Sequence, residues 1–201
     1  MSVPFVVGVG GGTASGKTTL AVAAAAALGA RVLTHDRYYF DAPKPRGHDF
    51  DRSEALDTAL LATHLAALRR GEAVEAPVYE FATHRRAATT ERIEPGEVLV
   101  VEGILVLAEP ALAPQYDLAA YVECADDIRL ARRIRRDTRD RGRQWQDVLD
   151  QWFATVRPAH IRHLPASRAR ADLFLDGEGD LAEQTGRLVE AVRAARAARQ
   201  G

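Results

Sequence analysis

The chain is poor in several residue types, and each shortage excludes a class of protein. It holds a single cysteine, Cys124, which rules out an internal disulfide. No apolar run reaches the roughly 20 residues that cross a bilayer, and no charged leader precedes the first apolar run, so we expect neither a membrane anchor nor a signal peptide. The net charge of −1 gives no support for bulk attraction to nucleic acid or membranes. We therefore expect a cytoplasmic protein, and 201 residues suit one domain.

Asparagine and lysine are the other two shortages. The chain contains no asparagine, so it lacks the Asn-Lys-x-Asp motif with which GTPases normally read their base. Of its 27 basic side chains, only Lys17 and Lys44 are lysines. Arginine carries the positive charge everywhere else, which makes the position of Lys17 informative.

Lys17 belongs to a glycine-rich segment that fits the phosphate-binding pattern G-x-x-x-x-G-K-[ST] at every fixed position. An apolar run at 5–9 precedes it and an alanine-rich run at 19–28 follows it, which is the strand, loop and helix context that the pattern requires. Glycines let backbone N–H groups face phosphate oxygens, and the helix adds its positive N-terminal end. The predicted nucleotide-binding residues are Gly11, Gly12, Thr13, Ala14, Ser15, Gly16, Lys17, Thr18 and Thr19.

Strand-like and helix-like runs alternate along the chain. The predicted strands are residues 5–9, 31–34, 98–101, 118–124 and 172–175, and the predicted helices are 16–28, 53–70, 126–140, 144–163 and 180–199. Asp51 and Glu54 have the spacing of a capping box for the second helix, and Gly71 ends it. The alternation predicts an α/β fold, a doubly wound parallel five-stranded sheet within a single domain over residues 1–201.

One segment interrupts the alternation. Residues 74–81 and 87–93 have an extended pattern on either side of the basic sequence His84-Arg85-Arg86. We expect a small β-hairpin insertion over residues 72–97, beside the nucleotide-binding domain.

Two acids stand at the ends of predicted strands, where ligands of parallel sheets bind. Glu102 follows the apolar run 98–101 and would help Thr18 to hold Mg²⁺, while Lys17 reaches the β- and γ-phosphates. Asp36 follows the strand 31–34, and its carboxylate could orient or deprotonate an attacking hydroxyl. From spacing alone, a turn cap explains Asp36 equally well.

Arginines follow one face of the helix at 126–140. Arg129, Arg133 and Arg136 share that face, and the opposite face is apolar. Arg141-Gly142-Arg143 then follows at a break, so residues 132–145 could form an arginine-rich lid that clamps phosphoryl oxygens. The alternative is a solvated, arginine-rich helix without a special role.

Together these segments resemble the uridine–cytidine kinases, within the phosphoribulokinase/uridine kinase group of P-loop kinases. The resemblance runs from residue 6 to about 176 and rests on short pieces in consistent order. They are the glycine-rich segment 11–18, Asp36-Arg37-Tyr38-Tyr39, Asp49-Phe50-Asp51, Pro77-Val78-Tyr79-Glu80-Phe81 with His84 and Arg86, Glu102-Gly103-Ile104-Leu105, the run 132–137, Arg141-Gly142-Arg143, and Gln151 ahead of Val156-Arg157-Pro158.

The resemblance implies transfer of a phosphoryl group from ATP or GTP, with Mg²⁺, to the 5′-hydroxyl of uridine or cytidine. Asp36 becomes the expected acid/base and an additional metal-associated acid, assisted by Lys17, Arg136 and Arg141, and Arg143 is expected on the donor phosphates. The pyrimidine nucleoside is expected on Phe50, Asp51, Tyr79, Phe81, His84, Arg133 and Gln151. Homo-oligomers occur in the family, so self-association is compatible with the resemblance.

The chain departs from the family around its expected ribose site. The family usually has Asn-Phe/Tyr-Asp-His-Pro where this chain has Asp49-Phe50-Asp51-Arg52-Ser53. The extra carboxylate at Asp49 could alter substrate preference. Two alternatives remain: a related P-loop kinase acting on another small alcohol or a sugar phosphate, and a nucleotide-binding regulator that transfers no phosphate.

Overall fold

The computed structural model describes residues 3–42 and 49–200. Five parallel strands form the main sheet, in the order β2-β5-β1-β6-β7, and β3 pairs with β4 in a separate antiparallel sheet. The strands are β1 Phe5–Gly11, β2 Arg31–Thr34, β3 Val74–Glu80, β4 Arg85–Ile93, β5 Val98–Gly103, β6 Leu118–Glu123 and β7 Leu173–Asp176. The helices are α1 Lys17–Leu28, α2 Thr58–Arg69, α3 Asp126–Arg141, α4 Trp145–Gln151, α5 Arg157–Ala169 and α6 Leu181–Gln200.

The central strands are buried on both faces. All residues of β1 and β5 are buried, because helices cover the two sides of the sheet. On one side Leu20 of α1 and Leu188 of α6 pack with Val7, and on the other Leu61 of α2 packs with Val6. The predicted doubly wound sheet is confirmed. Within residues 3–42 and 49–200, no helix is long and apolar enough to cross a bilayer.

The strand register brings the predicted acids to one edge. Glu102 lies opposite Val9 of β1 and opposite Thr34, the last residue of β2. Asp36 follows in the 3₁₀ turn His35–Tyr38, immediately beyond β2. The glycine-rich loop leaves β1 at the same edge, so the parallel sheet gathers the loop and both acids.

The predicted hairpin forms, but its turn lies elsewhere. Arg85 pairs with Glu80 and Arg86 with Tyr79, so the basic pair belongs to β4 and not to the turn. His84 closes the turn with a left-handed φ of 54°. Arg86 binds the hairpin to the end of the 3₁₀ turn that follows β2, since its guanidinium donates to the carbonyls of Tyr38 and Tyr39 at 2.9 Å each.

The predicted start of the second helix was wrong. Residues 53–55 form a 3₁₀ turn, and α2 begins at Thr58 with Asp57 as its cap, where Oδ1 accepts from the Leu60 backbone N–H at 3.1 Å. Asp51 cannot cap this helix, because its carboxylate accepts from the Thr155 hydroxyl in the cavity described below. The helix predicted at 144–163 is α4 and α5 joined by a π-helical turn, Trp152–Val156, and it continues to Ala169.

Candidate active site

The predicted site residues line one cavity of about 1550 Å³ at the carboxyl edge of the sheet. The glycine-rich loop forms one end of it, and the β3–β4 hairpin with the segment after residue 49 forms the other. The predicted residues in its wall are Thr13, Ala14, Gly16, Lys17, Thr18, Thr19, Asp36, Phe50, Asp51, Tyr79, Phe81, His84, Glu102, Arg133, Arg136, Arg141, Arg143 and Gln151. The remaining three do not line the cavity: Gly11 is the last residue of β1, and Gly12 and Ser15 belong to the glycine-rich loop.

The glycine-rich loop has the backbone of a phosphate cradle. Ala14 and Gly16 take left-handed φ values of 60° and 97°, and the Ser15 N–H donates to the Gly12 carbonyl at 3.2 Å. A left-handed alanine is a strained position, of the kind that clusters at ligand sites. Gly16 is also the N-cap residue of α1, so the loop ends at the positive N-terminus of that helix.

Thr18, Glu102 and Lys17 meet at the base of this loop. Thr18 Oγ1 donates to Glu102 Oε2 at 3.0 Å, and Lys17 Nζ lies 3.9 Å from the same oxygen. Burial raises the pKa of Glu102, and the positive charge of Lys17 opposes that shift. The negative charge of Asp36 adds to the rise, so a cation here would be stabilised by both acids.

The oxygens of Thr18 and Glu102 fit Mg²⁺. This ion needs oxygen ligands, and proteins usually supply one or two carboxylates while substrate phosphates and water complete the shell. Among residues 3–42 and 49–200, no group of three His, Cys, Asp or Glu side chains forms a metal cluster of its own. Phosphate would therefore have to bring part of the coordination.

Asp36 is half-buried, between the loop and the aromatic end of the cavity. The adjacent His35 is buried and shares a hydrogen bond of 3.2 Å with the Thr58 hydroxyl. Burial lowers the pKa of His35 to about 4, so this histidine is neutral and does not compensate the carboxylate of Asp36. Arg37, the cation on the same turn, pairs with Glu91 of the hairpin.

Asp51 is a buried acid at the far end of the cavity. Its Oδ2 accepts from the Thr155 hydroxyl at 3.3 Å, and its backbone N–H donates to Asp49 Oδ1 at 3.0 Å. Burial raises the pKa of Asp51 to about 6; Arg133 opposes the rise, and Asp49 and Asp36 add to it. The extra carboxylate of Asp49 thus acts directly on the predicted ribose site.

Aromatic rings surround Asp51. Tyr39 lies 5.8 Å from Phe50 and 5.3 Å from Tyr79, and the rings of Phe50 and His84 stack at 4.9 Å between centroids. The Tyr79 hydroxyl is buried with no hydrogen-bond partner among the described residues. Ring faces with an unsatisfied hydroxyl suit a planar ligand that carries polar edges.

The arginine face of α3 enters the protein, and the face that carries Leu130 and Ile134 does not. Arg129, Arg133 and Asp137 are its buried residues, while Leu130 and Ile134 are half-exposed. The arginines can be buried because each finds acceptors: Arg133 donates to the Thr13 hydroxyl at 3.2 Å and to Gln151 Oε1 at 3.0 Å. Arg129 and Arg133 are therefore not solvated side chains.

Asp137 is the residue that sequence reasoning missed. Its fully buried carboxylate lies 2.8 Å from Arg136, 3.3 Å from Arg143, 3.5 Å from Arg141 and 3.8 Å from Arg133. Four guanidiniums around one carboxylate leave a net positive cluster that faces the cavity. The signal in the sequence was the spacing, since Asp137 lies four residues after Arg133 and four before Arg141.

The end of α3 also contacts both sides of the cavity. The Arg141 guanidinium lies over the Phe81 ring at 5.0 Å, and Arg143 donates to Gln151 Oε1 at 2.8 Å. Gly142 follows the last residue of the helix in the left-handed conformation. The predicted lid segment thus touches the hairpin in the present state.

Comparison with known proteins agrees with this geometry. The model of the phosphoribulokinase / uridine kinase family matches residues 6–180. The uridine kinase of Chloroflexus aggregans is 42% identical over 184 residues, 88% of each chain, and that of Alkaliphilus metalliredigens is 37% identical over 188 residues, 90% of each. A kinase of Silicibacter sp. assigned to a fructose transport system has the same fold, with a TM-score of 0.71 at 24% identity over 87% of this chain and 90% of its own. The chain belongs to the phosphoribulokinase / uridine kinase family.

Proposed function

We propose that this chain is a uridine/cytidine kinase, which transfers the γ-phosphoryl group of ATP or GTP to the 5′-hydroxyl of the nucleoside. The observation that carries the proposal is one continuous cavity with a phosphate loop at one end and an acid among aromatic rings at the other. The two substrates of this reaction, a triphosphate and a nucleoside, match these two ends. The relatives named uridine kinase, at 37–42% identity, support the same reaction.

The loop end would hold the donor. Backbone N–H groups of the loop and Lys17 bind the phosphates, and the Thr18 hydroxyl with Glu102 binds Mg²⁺. When bound, this ion neutralises charge on the β- and γ-phosphates. Arg136, Arg141 and Arg143 approach the same phosphates from the end of α3, where Asp137 holds them in the present state.

Asp36 would act on the nucleoside hydroxyl. The 5′-oxygen attacks the γ-phosphorus, the bond between that phosphorus and its bridging oxygen breaks, and the hydroxyl proton passes to the Asp36 carboxylate. Lys17 and the arginines stabilise the equatorial oxygens during transfer. A positively charged, closed site also excludes water and so suppresses hydrolysis of the donor.

The aromatic end would hold the nucleoside. Asp51, flanked by Arg133 and Gln151, accepts from the ribose hydroxyls. Tyr79, Phe81 and His84 supply ring faces and a polar edge for the pyrimidine. A sugar phosphate would need more cations and fewer aromatic rings here, which disfavours that acceptor. Because this donor is an intracellular metabolite, we propose a cytoplasmic enzyme.

Product analysis tests the proposal. Incubated with ATP and Mg²⁺, uridine should give its 5′-monophosphate with one ADP released per product. The matched control is 5′-deoxyuridine, which keeps the base and both ribose hydroxyls but lacks the acceptor, and it should release no ADP. Uridine that remains unmodified while the protein binds ATP would favour a regulator that transfers no phosphate.

A further inference from the structure

Arg129 lies behind the phosphate loop and not in the cavity. Its side chain is buried, and it is absent from the residues that line the cavity within the described part of the chain. A Cβ atom added to Gly12 would come within 2.1 Å of Arg129 Nη1 and 2.6 Å of its Cζ. The guanidinium therefore packs directly against the Gly12 backbone, where any side chain on Gly12 would displace it.

Each nitrogen of the Arg129 guanidinium has a hydrogen-bond partner. Nη1 donates to His160 Nδ1 at 2.8 Å, and Nε donates to the Cys124 carbonyl at 3.2 Å. Nη2 pairs with Asp126, and Arg129 lies over the Trp152 ring at 5.4 Å. Two elements distant in sequence, the start of α3 and α5, thus hold one planar cation against the loop.

His160 has a defined role in this arrangement. Because arginine can only donate, His160 Nδ1 must be an acceptor, and the ring must be neutral. Burial and the charge of Arg129 lower the pKa of His160 to about 3, which is consistent with a neutral ring. Trp152 packs edge-on against it, with 5.7 Å between ring centroids.

We propose that Arg129, oriented by His160, is a positioning residue that sets the backbone of the phosphate loop at Gly12 and thereby the affinity for the donor triphosphate. Loop N–H groups bind phosphate well only when they are already directed at it. A rigid planar group behind Gly12 restricts the other backbone conformations that the loop could adopt. Arg129 acts through the loop and does not touch the nucleotide.

The role of Arg129 depends on one part of the proposed function, namely that the loop binds a triphosphate. It does not depend on transfer of phosphate to uridine. Binding of Mg-ATP is measured by calorimetry without an acceptor, so a protein that failed to phosphorylate uridine could still support or overturn it.

Arg129→Lys keeps the charge and loses the planar fork. We expect the dissociation constant of Mg-ATP to rise by about tenfold, which corresponds to the loss of one charged hydrogen bond. The dissociation constant of uridine should change by less than about twofold. Equal weakening of both ligands, or unchanged Mg-ATP binding in a folded variant, would overturn the proposal, because a general structural role would not separate the two ligands.

A pair of His160 variants repeats the test without changing Arg129. His160→Asn retains an acceptor oxygen and should bind Mg-ATP nearly as the parent does, whereas His160→Leu should resemble Arg129→Lys. Equal Mg-ATP affinities for the two would contradict the orienting role of the imidazole.

Gly12 supplies an independent check. Gly12→Ala should weaken Mg-ATP binding, but it should add little in a chain that already carries Arg129→Ala, because the atom it meets is then gone. Additive effects of the two substitutions would show that Arg129 and the loop act independently.

Discussion

Thr18 and Glu102, 84 residues apart in the chain, meet with the threonine hydroxyl donating to the carboxylate at 3.0 Å. Thr18 lies in the first turn of α1, after the loop that leaves β1, and Glu102 is the penultimate residue of β5, so their contact depends on the pairing of these two strands. Lys17 Nζ lies 3.9 Å from the same carboxylate oxygen. The donor end of the cavity is therefore assembled by the sheet and does not depend on a flexible loop alone.

Glu102→Gln should weaken the use of Mg²⁺. The amide can still accept from Thr18, but it loses the charge that attracts a divalent ion and balances Lys17. We expect the Mg²⁺ concentration for half-maximal activity to rise about 10–100-fold. A titration of activity with Mg²⁺ at saturating ATP measures it, and an unchanged midpoint would remove Glu102 from the metal site.

Asp36→Asn should slow turnover sharply without weakening the binding of Mg-ATP. A positioned general base contributes about 10²–10⁴-fold, so we expect kcat to fall by that factor while Mg-ATP binds normally. The control is Asp127→Asn, an exposed aspartate at the start of α3 outside the cavity. If both variants keep the parental kcat, Asp36 is only a turn residue.

Nucleoside binding should weaken in acid. Asp51 must be ionised to accept from two hydroxyls, and burial raises its pKa to about 6. KM for uridine should therefore rise as the pH falls through about 6, whereas in Asp51→Asn it should be high and independent of pH between 5 and 8. A parental KM that is flat over this range would argue against Asp51 as the hydroxyl acceptor.

The raised pKa of Asp51 affects stability in the opposite direction, since it favours the folded state in acid. The folded-state pKa of Asp51 lies above its ordinary value of about 3.9, so the folded state favours the protonated acid. This contribution to the free energy of unfolding is fully present below about pH 4 and is lost as the pH rises through about 6. The Asp51→Asn variant lacks this ionisation, so its Tm should depend less on pH between about 4 and 6 than that of the parent.

Asp137→Asn should release the arginine cluster. Without the buried carboxylate, Arg136, Arg141 and Arg143 repel one another. Since each is about one-third exposed, water screens much of the cost. We expect a loss of about 1–3 kcal/mol in the free energy of unfolding and a lower kcat. Asp127→Asn, an exposed acid on the same helix and outside the cavity, is the matched control and should leave Tm nearly unchanged.

The sheet and the phosphate loop could be predicted because their signals are local. The runs around Val7 and Val100 are continuously apolar, which parallel strands buried on both faces require, and the loop pattern fixes its own flanks. Glu102 and Asp36 followed from their places after strands.

Burial of charged side chains was beyond the sequence pattern. The periodicity of α3 separates arginines from Leu130 and Ile134, but it does not tell which face enters the protein. Arg129 is buried because His160 accepts from it, 31 residues away, and such pairing is visible only in three dimensions. Thr155 donates to Asp51 from a π-helical turn. The spacing of apolar residues in the sequence does not reveal such a local irregularity.

The most direct test of the central claim is kcat/KM for a panel of acceptors with ATP and Mg²⁺, measured on the parent chain and on His84→Ala. We expect phosphorylation of uridine and cytidine far above that of ribulose 5-phosphate, with reduced discrimination between bases in His84→Ala. Activity confined to ribulose 5-phosphate would contradict it.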